Sequence, residues 1–275
     1  MQTHQMWREC LATARAAAQE AGVLLRRHAG RPRSVRHKGS FIDLVTEVDR
    51  AAERLIAARI RRRFPGHAFL GEEATVRSVD ARQSAYRWIV DPIDGTTNFV
   101  HGVPCFAVSI GVEERGRLIA GVVYDPMRRE EFTAIAGGGA QCNGRRIHVS
   151  RARRLQEALL STGFSPRFRK DPASFLARFV DFQCTCHAVR RNGSTAISLA
   201  YVAAGRFDGF WESDVHPWDS AAGILLVREA GGCVTDYHGR PATAENPDIV
   251  ASNNALQHLM LRIVNRRRVR LRFDR

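Results

Sequence analysis

The sequence predicts a layered α/β fold with mixed sheets, because strands, helices and hairpins occur together along the chain. Apolar stretches of strand length alternate loosely with stretches of helical periodicity. The apolar stretches 106–112 and 118–124, separated by a short polar turn, predict one antiparallel pair, and Asn143-Gly144 predicts a hairpin. These hairpins argue against a simple doubly wound parallel sheet. We place a boundary between two halves in the basic stretch 150–158.

The composition is that of a soluble globular protein. Of the 275 residues, 44% are hydrophobic and 25% charged. No apolar run is long enough to span a bilayer and no secretory signal begins the chain, so we expect a cytoplasmic protein with free thiols. The net charge of +14 suits a nucleic acid, an anionic surface or an anionic substrate. The basic residues cluster at 61–63, 151–154 and 266–275, without the aromatic spacing of an RNA-binding module.

Two helices and a short strand are predicted before the central motif. Apolar residues at helical spacing predict a helix over 5–28 and another over 49–64, which Pro65-Gly66 ends. A short apolar stretch at 68–70 predicts a strand that leads into Glu72-Glu73. The elements predicted later in the chain are strands at 131–136, 147–149, 159–162, 184–189, 207–212, 233–237 and 249–251, and helices at 194–204, 220–229 and 255–264.

The nine residues DPIDGTTNF, at 91–99, carry the strongest chemical signal. They follow the apolar stretch 87–90, and Pro92 and Gly95 favour a stiff, tight elbow at the end of that strand. The elbow places Asp91 and Asp94 where open α/β sheets bind their ligands. Two carboxylates so close together share a proton or a cation, and oxygen ligands favour a hard cation such as Mg²⁺. A bare DPxD also fits an Asp-Pro turn with a capping aspartate, but the full nine-residue run argues against that interpretation.

Further acidic residues lie at similar junctions between elements. They are Asp43, Asp49, Glu72, Glu73, Glu212 and Asp219. Taken one at a time, each fits a helix cap or a solvated loop. Together, in a chain with an excess of positive charge, they predict an acidic cleft for cations. Two cations about 4 Å apart bridge a phosphate ester and supply a nucleophile in enzymes of this chemistry. We expect the backbone N–H groups of Thr96 and Thr97 to meet that phosphate.

These stretches resemble the inositol monophosphatase family of Mg²⁺-dependent, lithium-sensitive phosphatases, in particular its bacterial extragenic-suppressor type, over residues 6–265. The matching stretches are DLVTEVD (43–49), GEE (71–73), DPIDGTTNFVHGVPCFAVSIG (91–111), GVVYDP (121–126), GAQCNG (139–144), RRNGSTA (190–196), LAYVAAGRFDGFWE (199–212) and PWDSAAG (217–223). The resemblance implies an αβαβα sandwich and a homodimer. It implies one catalytic domain, 1–265, with halves 1–150 and 151–265, followed by a basic tail, 266–275.

The resemblance also implies two or three Mg²⁺ ions in each active site, with Mn²⁺ as a possible substitute. Glu72, Asp91 and the backbone carbonyl of Ile93 are the expected ligands of the first metal. Asp91, Asp94 and Asp219 are the expected ligands of the second. Glu72 is also expected to help hold a third, weaker metal.

The same resemblance assigns catalytic and substrate-binding roles. Asp49 is expected to accept a hydrogen bond from Thr96, whose hydroxyl activates the attacking water that Glu72 orients, and Lys38 is expected near the metals. The expected substrate contacts are Asp94, Gly95, Thr96, Arg190, Gly193, Ser194, Thr195, Glu212 and Asp219. Among these, Glu212 is expected to accept hydrogen bonds from ring hydroxyls of the substrate.

The leading hypothesis is a phosphomonoesterase that acts on inositol 1-phosphate or a similar small polyol phosphate. The same fold and metal motif also serve 3′-phosphoadenosine 5′-phosphate, fructose 1,6-bisphosphate and histidinol phosphate. A hypothesis of another class is contact with RNA or RNA polymerase, suggested by the basic tail and the suppressor-type resemblance. A non-catalytic relic is disfavoured because the acidic set is complete.

Overall fold

The computed structural model describes residues 2–32, 34–37, 44–75 and 84–266. The predicted site residue Lys38, the acidic residue Asp43 and all of the basic tail except Arg266 lie outside these ranges. The helices are α1 Gln2–His28, α2 Glu47–Arg63, α3 Thr96–Val100, α4 Pro172–Gln183, α5 Thr195–Ala203, α6 Pro217–Glu229 and α7 Asn254–Val264. The strands are β1 Val35–His37, β2 Leu44–Thr46, β3 Ala68–Gly71, β4 Tyr86–Asp94, β5 Ala107–Glu114, β6 Arg117–Asp125, β7 Glu130–Ile135, β8 Gly139–Cys142, β9 Arg145–Arg146, β10 Leu159–Thr162, β11 Ala188–Arg190, β12 Gly209–Ser213, β13 Gly232–Thr235 and β14 Asp248–Asn253.

Most of these strands form two mixed sheets. A seven-stranded sheet has the order β3-β4-β5-β6-β7-β8-β9, in which only β3 and β4 are parallel. A five-stranded sheet has the order β11-β10-β12-β14-β13, in which β10 runs parallel to both of its neighbours. The short strands β1 and β2 form a separate antiparallel ribbon. The predicted mixed sheets are therefore confirmed.

The helices and sheets stack in five layers. Helices α1 and α2 pack on one face of the seven-stranded sheet, and α5 and α6 pack between the two sheets. Helices α4 and α7 cover the outer face of the five-stranded sheet. The larger apolar core surrounds the seven-stranded sheet and the α5–α6 pair, whereas a smaller one fills the space beneath α4 and α7. This arrangement confirms the αβαβα sandwich; the proposed division into halves within one domain stays a prediction.

Most of the predicted elements are present in the structure, with several differences. The turn at Asn143-Gly144 has positive φ at both residues, as a tight hairpin requires. The stretch 147–149 is not a strand, and the strand predicted over 184–189 begins only at Ala188. Helix α4 was not predicted, although Asp171 caps its first turn and a proline follows at its first position.

Two further sequence predictions concern the environment of the protein. Within the described ranges, the longest and most apolar helices fall short of what a membrane crossing requires. All six cysteines are free thiols, as expected, and their burial ranges from the buried Cys10 to the exposed Cys184.

Candidate active site

A β-bulge brings the two aspartates of the central motif to the same side of the sheet. Strand β4 does not end at Asp91 as predicted; it continues through Pro92 to Asp94. Asp91 pairs with Ser109 and Asp94 pairs with Ala107, so three steps on β4 face two steps on β5. Residues three apart on a regular strand point to opposite faces of the sheet. The extra residue of a bulge shifts this alternation by one, so that both side chains can point to the same face. The bulge therefore allows both carboxylates to converge.

A third carboxylate arrives from helix α6 of the second half. Asp219 lies in the first turn of α6, where one carboxylate oxygen accepts a hydrogen bond from the backbone N–H of His216 at 2.8 Å. One oxygen from each of Asp91, Asp94 and Asp219 lies within 4.8 Å of the other two. Asp91 and Asp94 are buried and Asp219 is half-buried. Three acids from two distant segments thus meet at one point.

The electrostatics of this cluster fit a divalent cation. Burial, together with repulsion from Glu72, Asp94 and Asp219, raises the pKa of Asp91 well above its ordinary value. Burial raises the pKa of Asp94 to about 6, although hydrogen bonds to its carboxylate oppose the shift. Desolvation and repulsion from Asp94 likewise raise the pKa of Asp219. A set of converging oxygen donors that repel one another when ionised is the donor set that a hard divalent cation satisfies.

The loop that carries Glu72 lies against the same strand. The backbone N–H of Glu72 donates to the carbonyl of Val90 at 3.1 Å, which extends the parallel pairing of β3 and β4 by one residue. Asp91 follows Val90 directly, and Glu72 is close enough to hydrogen-bond its carboxyl group. The structure therefore places Glu72 beside Asp91, and its role as a cation ligand stays a prediction.

Asp49 and Thr96 meet beside this cluster. Asp49 is fully buried in the first turn of α2, where it accepts hydrogen bonds from the backbone N–H and the hydroxyl of Thr46. Its other oxygen lies 3.3 Å from the Thr96 hydroxyl, which also lies 3.0 Å from the carbonyl oxygen of Ile93. The single hydroxyl proton of Thr96 serves one acceptor at a time, so the Thr96 oxygen keeps lone pairs for another partner.

The start of helix α5 holds Asp94. The Ser194 hydroxyl donates to Asp94, and the backbone N–H groups of Thr195 and Ala196 donate to it at 3.2 and 3.0 Å. A carboxylate at a helix N-terminus is stabilised by these N–H groups and by the helix dipole. Ser194 and Thr195 were predicted to contact substrate; here the Ser194 hydroxyl and the Thr195 backbone N–H donate to Asp94, and a substrate contact by either residue stays a prediction.

Glu212, near the end of strand β12, is a further buried carboxylate beside this arrangement. The Thr195 hydroxyl donates to its carboxylate at 2.6 Å. Burial raises the pKa of Glu212 to about 7, although the Thr195 hydrogen bond and the Arg191 charge act in the opposite direction. Gly163 lies directly against the carboxylate, and any side chain there would collide with Glu212. Glu212 is thereby held in one orientation.

These residues border a cavity of about 520 Å³. Asp94 and Glu212 lie on its wall, with Gly193, Ser194 and Thr195 between them. Its other lining residues come mainly from the end of α3 and from the segment that follows β10: Leu44, Thr97, Asn98, His101, Thr162, Gly163, Phe164, Ser165, Phe168, Arg169, Arg191, Ser198 and Phe210. The cavity therefore reaches from the aspartate cluster to a polar and aromatic mouth.

Two glycines allow the loops around the cavity to approach each other. Gly95 has a φ of 98°, and a Cβ there would lie 3.0 Å from the carbonyl oxygens of Cys105 and Gly193. Gly193 also has positive φ and packs against the Asn98 amide, which donates to the carbonyl of Cys105 at 2.7 Å. This packing explains why glycine is needed at positions 95 and 193, whereas their predicted contact with substrate stays a prediction.

The arginine that faces the cavity is not the predicted one. Arg190 ends β11 with an exposed side chain, and its guanidinium donates to the neighbouring carbonyl of Val189 at 3.2 Å. Arg191 is the residue of this pair that lines the cavity, with its guanidinium over the ring of Phe164. Successive residues of an extended segment point to opposite sides, so a one-residue difference decides which arginine faces the cavity; a substrate contact by Arg190 stays a prediction.

One buried acid near the site was given no role by the sequence. Glu53 lies one turn after Asp49 on α2 and is fully buried. It accepts hydrogen bonds from the segment that follows Glu72. The available signal was a glutamate beside Ala52 and Ile56 on the apolar side of a helix, where a charged residue is rarely buried without a partner.

The sequence is similar to those of one family of known proteins. The sequence profile described as the inositol monophosphatase family matches residues 6–268. A Pseudomonas aeruginosa protein named Nus factor SuhB is 48% identical over 241 residues, covering 86% of this chain and 89% of that protein. A Mesorhizobium japonicum protein named inositol-1-monophosphatase is 43% identical over 252 residues, covering 91% of this chain and 94% of the relative.

Solved structures give the same result. The extragenic suppressor protein suhB of Bartonella henselae superposes with a TM-score of 0.87 at 41% identity, covering 94% of this chain and 98% of that one. The inositol monophosphatase from Anabaena superposes with a TM-score of 0.84 at 38% identity, covering 94% and 95%. With the fold, the acidic cluster and these likenesses in agreement, the chain belongs to the inositol monophosphatase family and is a phosphatase.

Proposed function

We propose that this chain is a Mg²⁺-dependent phosphomonoesterase that hydrolyses inositol 1-phosphate, or a similar small polyol phosphate, to the polyol and phosphate. The observation that carries the proposal is the convergence of Asp91, Asp94 and Asp219 within 4.8 Å beside a cavity that Glu212 also lines. Relatives at 43% and 42% identity carry the name inositol-1-monophosphatase.

The carboxylates and one backbone carbonyl form the proposed cation sites. Glu72, Asp91 and the carbonyl oxygen of Ile93 would hold one cation, and Asp91, Asp94 and Asp219 would hold a second. Glu72 would also help to hold a third, weaker one. Bound divalent cations lower the pKa of a coordinated water and offset the negative charge of phosphoryl oxygens. All of these ligands are oxygen atoms, which favours Mg²⁺, with Mn²⁺ as an alternative.

Thr96 is the residue we assign to handling the proton of the attacking water. When its hydroxyl donates to Asp49, the Thr96 oxygen presents lone pairs toward the aspartate cluster. A water there can donate one hydrogen bond to Thr96 and present its oxygen to the phosphorus. Asp49 is held by Thr46 on the opposite side, so it fixes the direction in which the Thr96 hydroxyl points.

Glu212 is the residue we assign to polyol recognition. Its carboxylate lines the cavity, and the Thr195 hydroxyl and Gly163 hold it in place. A carboxylate accepts hydrogen bonds from neighbouring hydroxyls, which are the groups that a polyol presents. Because the pKa of Glu212 is raised to about 7, its protonated form is also available near neutral pH and can donate.

Phosphate release from a panel of substrates tests the proposal. The panel is inositol 1-phosphate, 3′-phosphoadenosine 5′-phosphate, fructose 1,6-bisphosphate and histidinol phosphate, each with Mg²⁺ and with EDTA. We expect Mg²⁺-dependent turnover with the highest kcat/KM for inositol 1-phosphate. A preference for another compound would move the assignment within the family. Turnover that survives EDTA, or that Asp94→Asn leaves intact, would contradict the cation-dependent mechanism.

A second candidate role, contact with RNA or RNA polymerase, has one specific observation in its favour. Relatives at 48% and 44% identity carry the name Nus factor SuhB. The net charge of +14 is compatible with such a partner. Binding to RNA measured against salt concentration tests it, because several phosphate contacts require a steep loss of affinity as salt rises. No binding of RNA or RNA polymerase at about 0.15 M salt would exclude it.

The homodimer, the sensitivity to lithium and the cytoplasmic location remain proposals that rest on resemblance. Light scattering coupled to gel filtration measures the oligomeric state, and lithium titration of the Mg²⁺-dependent rate measures the sensitivity to lithium. Fractionation of cells that express the protein determines its location.

A further inference from the structure

Glu53 is a buried carboxylate whose hydrogen-bond partners, among the residues that the structure describes, all come from one loop. It accepts from the backbone N–H of Glu73 at 2.8 Å, from the backbone N–H of Thr75 at 2.7 Å and from the Thr75 hydroxyl at 2.5 Å. Its exposed fraction is zero. Within the described ranges it forms no ion pair with an arginine or lysine. Its negative charge is therefore compensated by the donors of that loop.

The loop needs such an anchor because its backbone is unusual. Ala74 adopts a positive φ of 48°, between the two residues whose N–H groups Glu53 accepts. A residue with a Cβ adopts this conformation only at a cost of about 1 kcal/mol or more. Gly71, just before Glu72, packs directly against the Glu53 carboxylate, where a side chain would collide. The loop thus closes around Glu53 on both sides of Glu72.

The same helix also contacts the other segment that carries proposed cation ligands. Asp49 lies four residues before Glu53 on α2, so both side chains emerge on one side of the helix. Asp49 reaches the Thr96 hydroxyl, in the segment that follows Asp94, whereas Glu53 reaches the loop of Glu72. One face of α2 therefore holds both segments at a fixed separation.

We propose that Glu53 is a positioning residue that sets the affinity of the site for divalent cations. It holds the Glu72 loop so that the Glu72 carboxylate stays beside Asp91. Glu53 does not line the cavity, so it acts through Glu72 and has no contact with substrate. This inference rests on the proposed function, because it assumes that Glu72 is a cation ligand.

Binding of Mn²⁺ alone, measured from the EPR signal of the free ion, is the first test. Glu53→Gln keeps the size of the side chain but replaces one acceptor oxygen with an amide group that cannot accept from an N–H. Groups that orient metal ligands typically contribute about 10- to 100-fold in affinity, so we expect the Mn²⁺ dissociation constant to rise by about tenfold or more. At saturating Mg²⁺, KM for the phosphate ester should stay unchanged and most of kcat should return.

Glu131→Gln is the matched control. Glu131 is also buried and accepts two side-chain hydrogen bonds, from Arg15 and Gln19, but it lies on β7 against α1, away from the cavity. It should lower the melting temperature without changing the Mn²⁺ dissociation constant. If Glu53→Gln behaves like Glu131→Gln, with lower stability and unchanged Mn²⁺ affinity, then Glu53 has only a structural role and the inference is wrong.

Thr75 provides a second variant if Glu53→Gln fails to fold. Thr75→Val removes the hydroxyl donor to Glu53, and Thr75→Ser keeps it. We expect weaker Mn²⁺ binding in Thr75→Val and recovery in Thr75→Ser. Equal affinity in both would overturn the inference. Wild-type protein that binds no Mn²⁺ would instead refute the proposed function itself, so the two failures are distinguishable.

Discussion

Two groups of buried carboxylates in this protein differ in their partners. Away from the cavity, four are paired with arginine; the pairs are Glu113 with Arg87, Asp125 with Arg128, Glu131 with Arg15 and Asp236 with Arg240. Two more buried acids, Asp49 and Glu53, lie on α2 and accept hydrogen bonds from Thr46 and from the Glu72 loop. At the cavity, Asp91, Asp94, Glu212 and the half-buried Asp219 form no ion pair with arginine or lysine among the residues described. The contrast is sharp because the chain carries 42 lysines and arginines.

The difference shows how charge is compensated in the two places. A carboxylate removed from water needs a cation or several hydrogen bonds to remain ionised. The paired set receives its cations from the chain itself, so its ionisation contributes to the fold. The cavity set is left with raised pKa values, so a divalent cation from solution would favour its ionised form. The following experiments test this comparison, beginning with the largest expected effect.

Asp91→Asn is expected to separate activity from stability. Asp91 is the proposed ligand shared by two cations, so we expect kcat/KM to fall by about 10³-fold or more. In EDTA, the melting temperature should stay the same or rise, because a charge that repels its neighbours is removed. Phosphate release and thermal unfolding measure the two effects.

Asp125→Asn is the matched control for that variant. Asp125 is fully buried, accepts from the N–H groups of Met127 and Arg128, and pairs with the Arg128 guanidinium. Its loss should lower the melting temperature and leave activity within about threefold of wild type. The distinction between the cavity carboxylates and the arginine-paired carboxylates would be wrong if Asp91→Asn lowered stability but kept activity. It would also be wrong if Asp125→Asn kept stability but lost activity.

Mg²⁺ is expected to stabilise the protein most at neutral and higher pH. Folding raises the pKa of Asp91, Asp94 and Asp219, so protonation of these groups stabilises the folded state. This contribution to the free energy of unfolding is fully present at about pH 4 and below. It is lost as the pH rises through the folded values, of which that of Asp94 is about 6. Bound Mg²⁺ offsets this loss, by about 2.7 kcal/mol in total at about 100 times its dissociation constant.

Thermal unfolding in EDTA and in Mg²⁺, at about pH 5 and about pH 8, measures that effect. The gain from Mg²⁺ should be larger at the higher pH. Ca²⁺ provides a comparison, because it also needs oxygen ligands but is larger and less demanding in geometry. An equal gain at both pH values would show that ionisation of the cluster does not limit cation binding.

Glu212→Gln is expected to affect the choice of substrate more than the chemical step. A hydrogen bond to a charged group contributes about 1.5–3 kcal/mol, so its loss should raise KM for inositol 1-phosphate by about tenfold to 100-fold. KM for an aryl phosphate without ring hydroxyls should change by less than about twofold. Because the pKa of Glu212 is raised to about 7, the difference between wild type and variant should change across neutral pH. An equal rise for both substrates would remove the reason for naming a polyol.

Asp236→Asn is expected to have the smallest effect, and only on stability. Burial alone would raise the pKa of Asp236, but hydrogen bonds from the Arg240 backbone, the Arg240 guanidinium and the His238 backbone lower it overall. The ionised form therefore stabilises the fold above the unfolded pKa, and this gain is lost as the pH falls through the folded value. We expect a loss of about 1 kcal/mol at pH 7 that disappears in acid, with activity unchanged. A loss that persists at about pH 2 would point to packing instead.

Local signals accounted for most of the elements. Helices α5, α6 and α7 were predicted within three residues at each end, because their periodicity and end signals lie inside the segment itself. Helix α4 was missed although Phe175, Phe179 and Phe182 recur at helical spacing after Asp171 and Pro172. The sequence therefore contains the local pattern that predicts α4.

Other features depended on contacts between distant residues. Whether the side chains of Asp91 and Asp94 lie on the same face of the sheet depends on how β4 pairs with β5. No local sequence pattern predicts a bulge there. The role of Glu53 depends on a loop that begins about twenty residues later. The choice of Arg191 over Arg190 depends on the direction of one short edge strand. In each case the deciding partner is far away in the chain.

By itself, the sequence determined the family, the α/β class and the identity of the acids, because those are written in contiguous motifs whose residue types limit the chemistry. The tertiary structure alone decided which carboxylates converge, which remain without a basic partner, and which buried acid holds the Glu72 loop. The physical reason is that residue chemistry is local, whereas burial and charge compensation depend on which segments folding brings together.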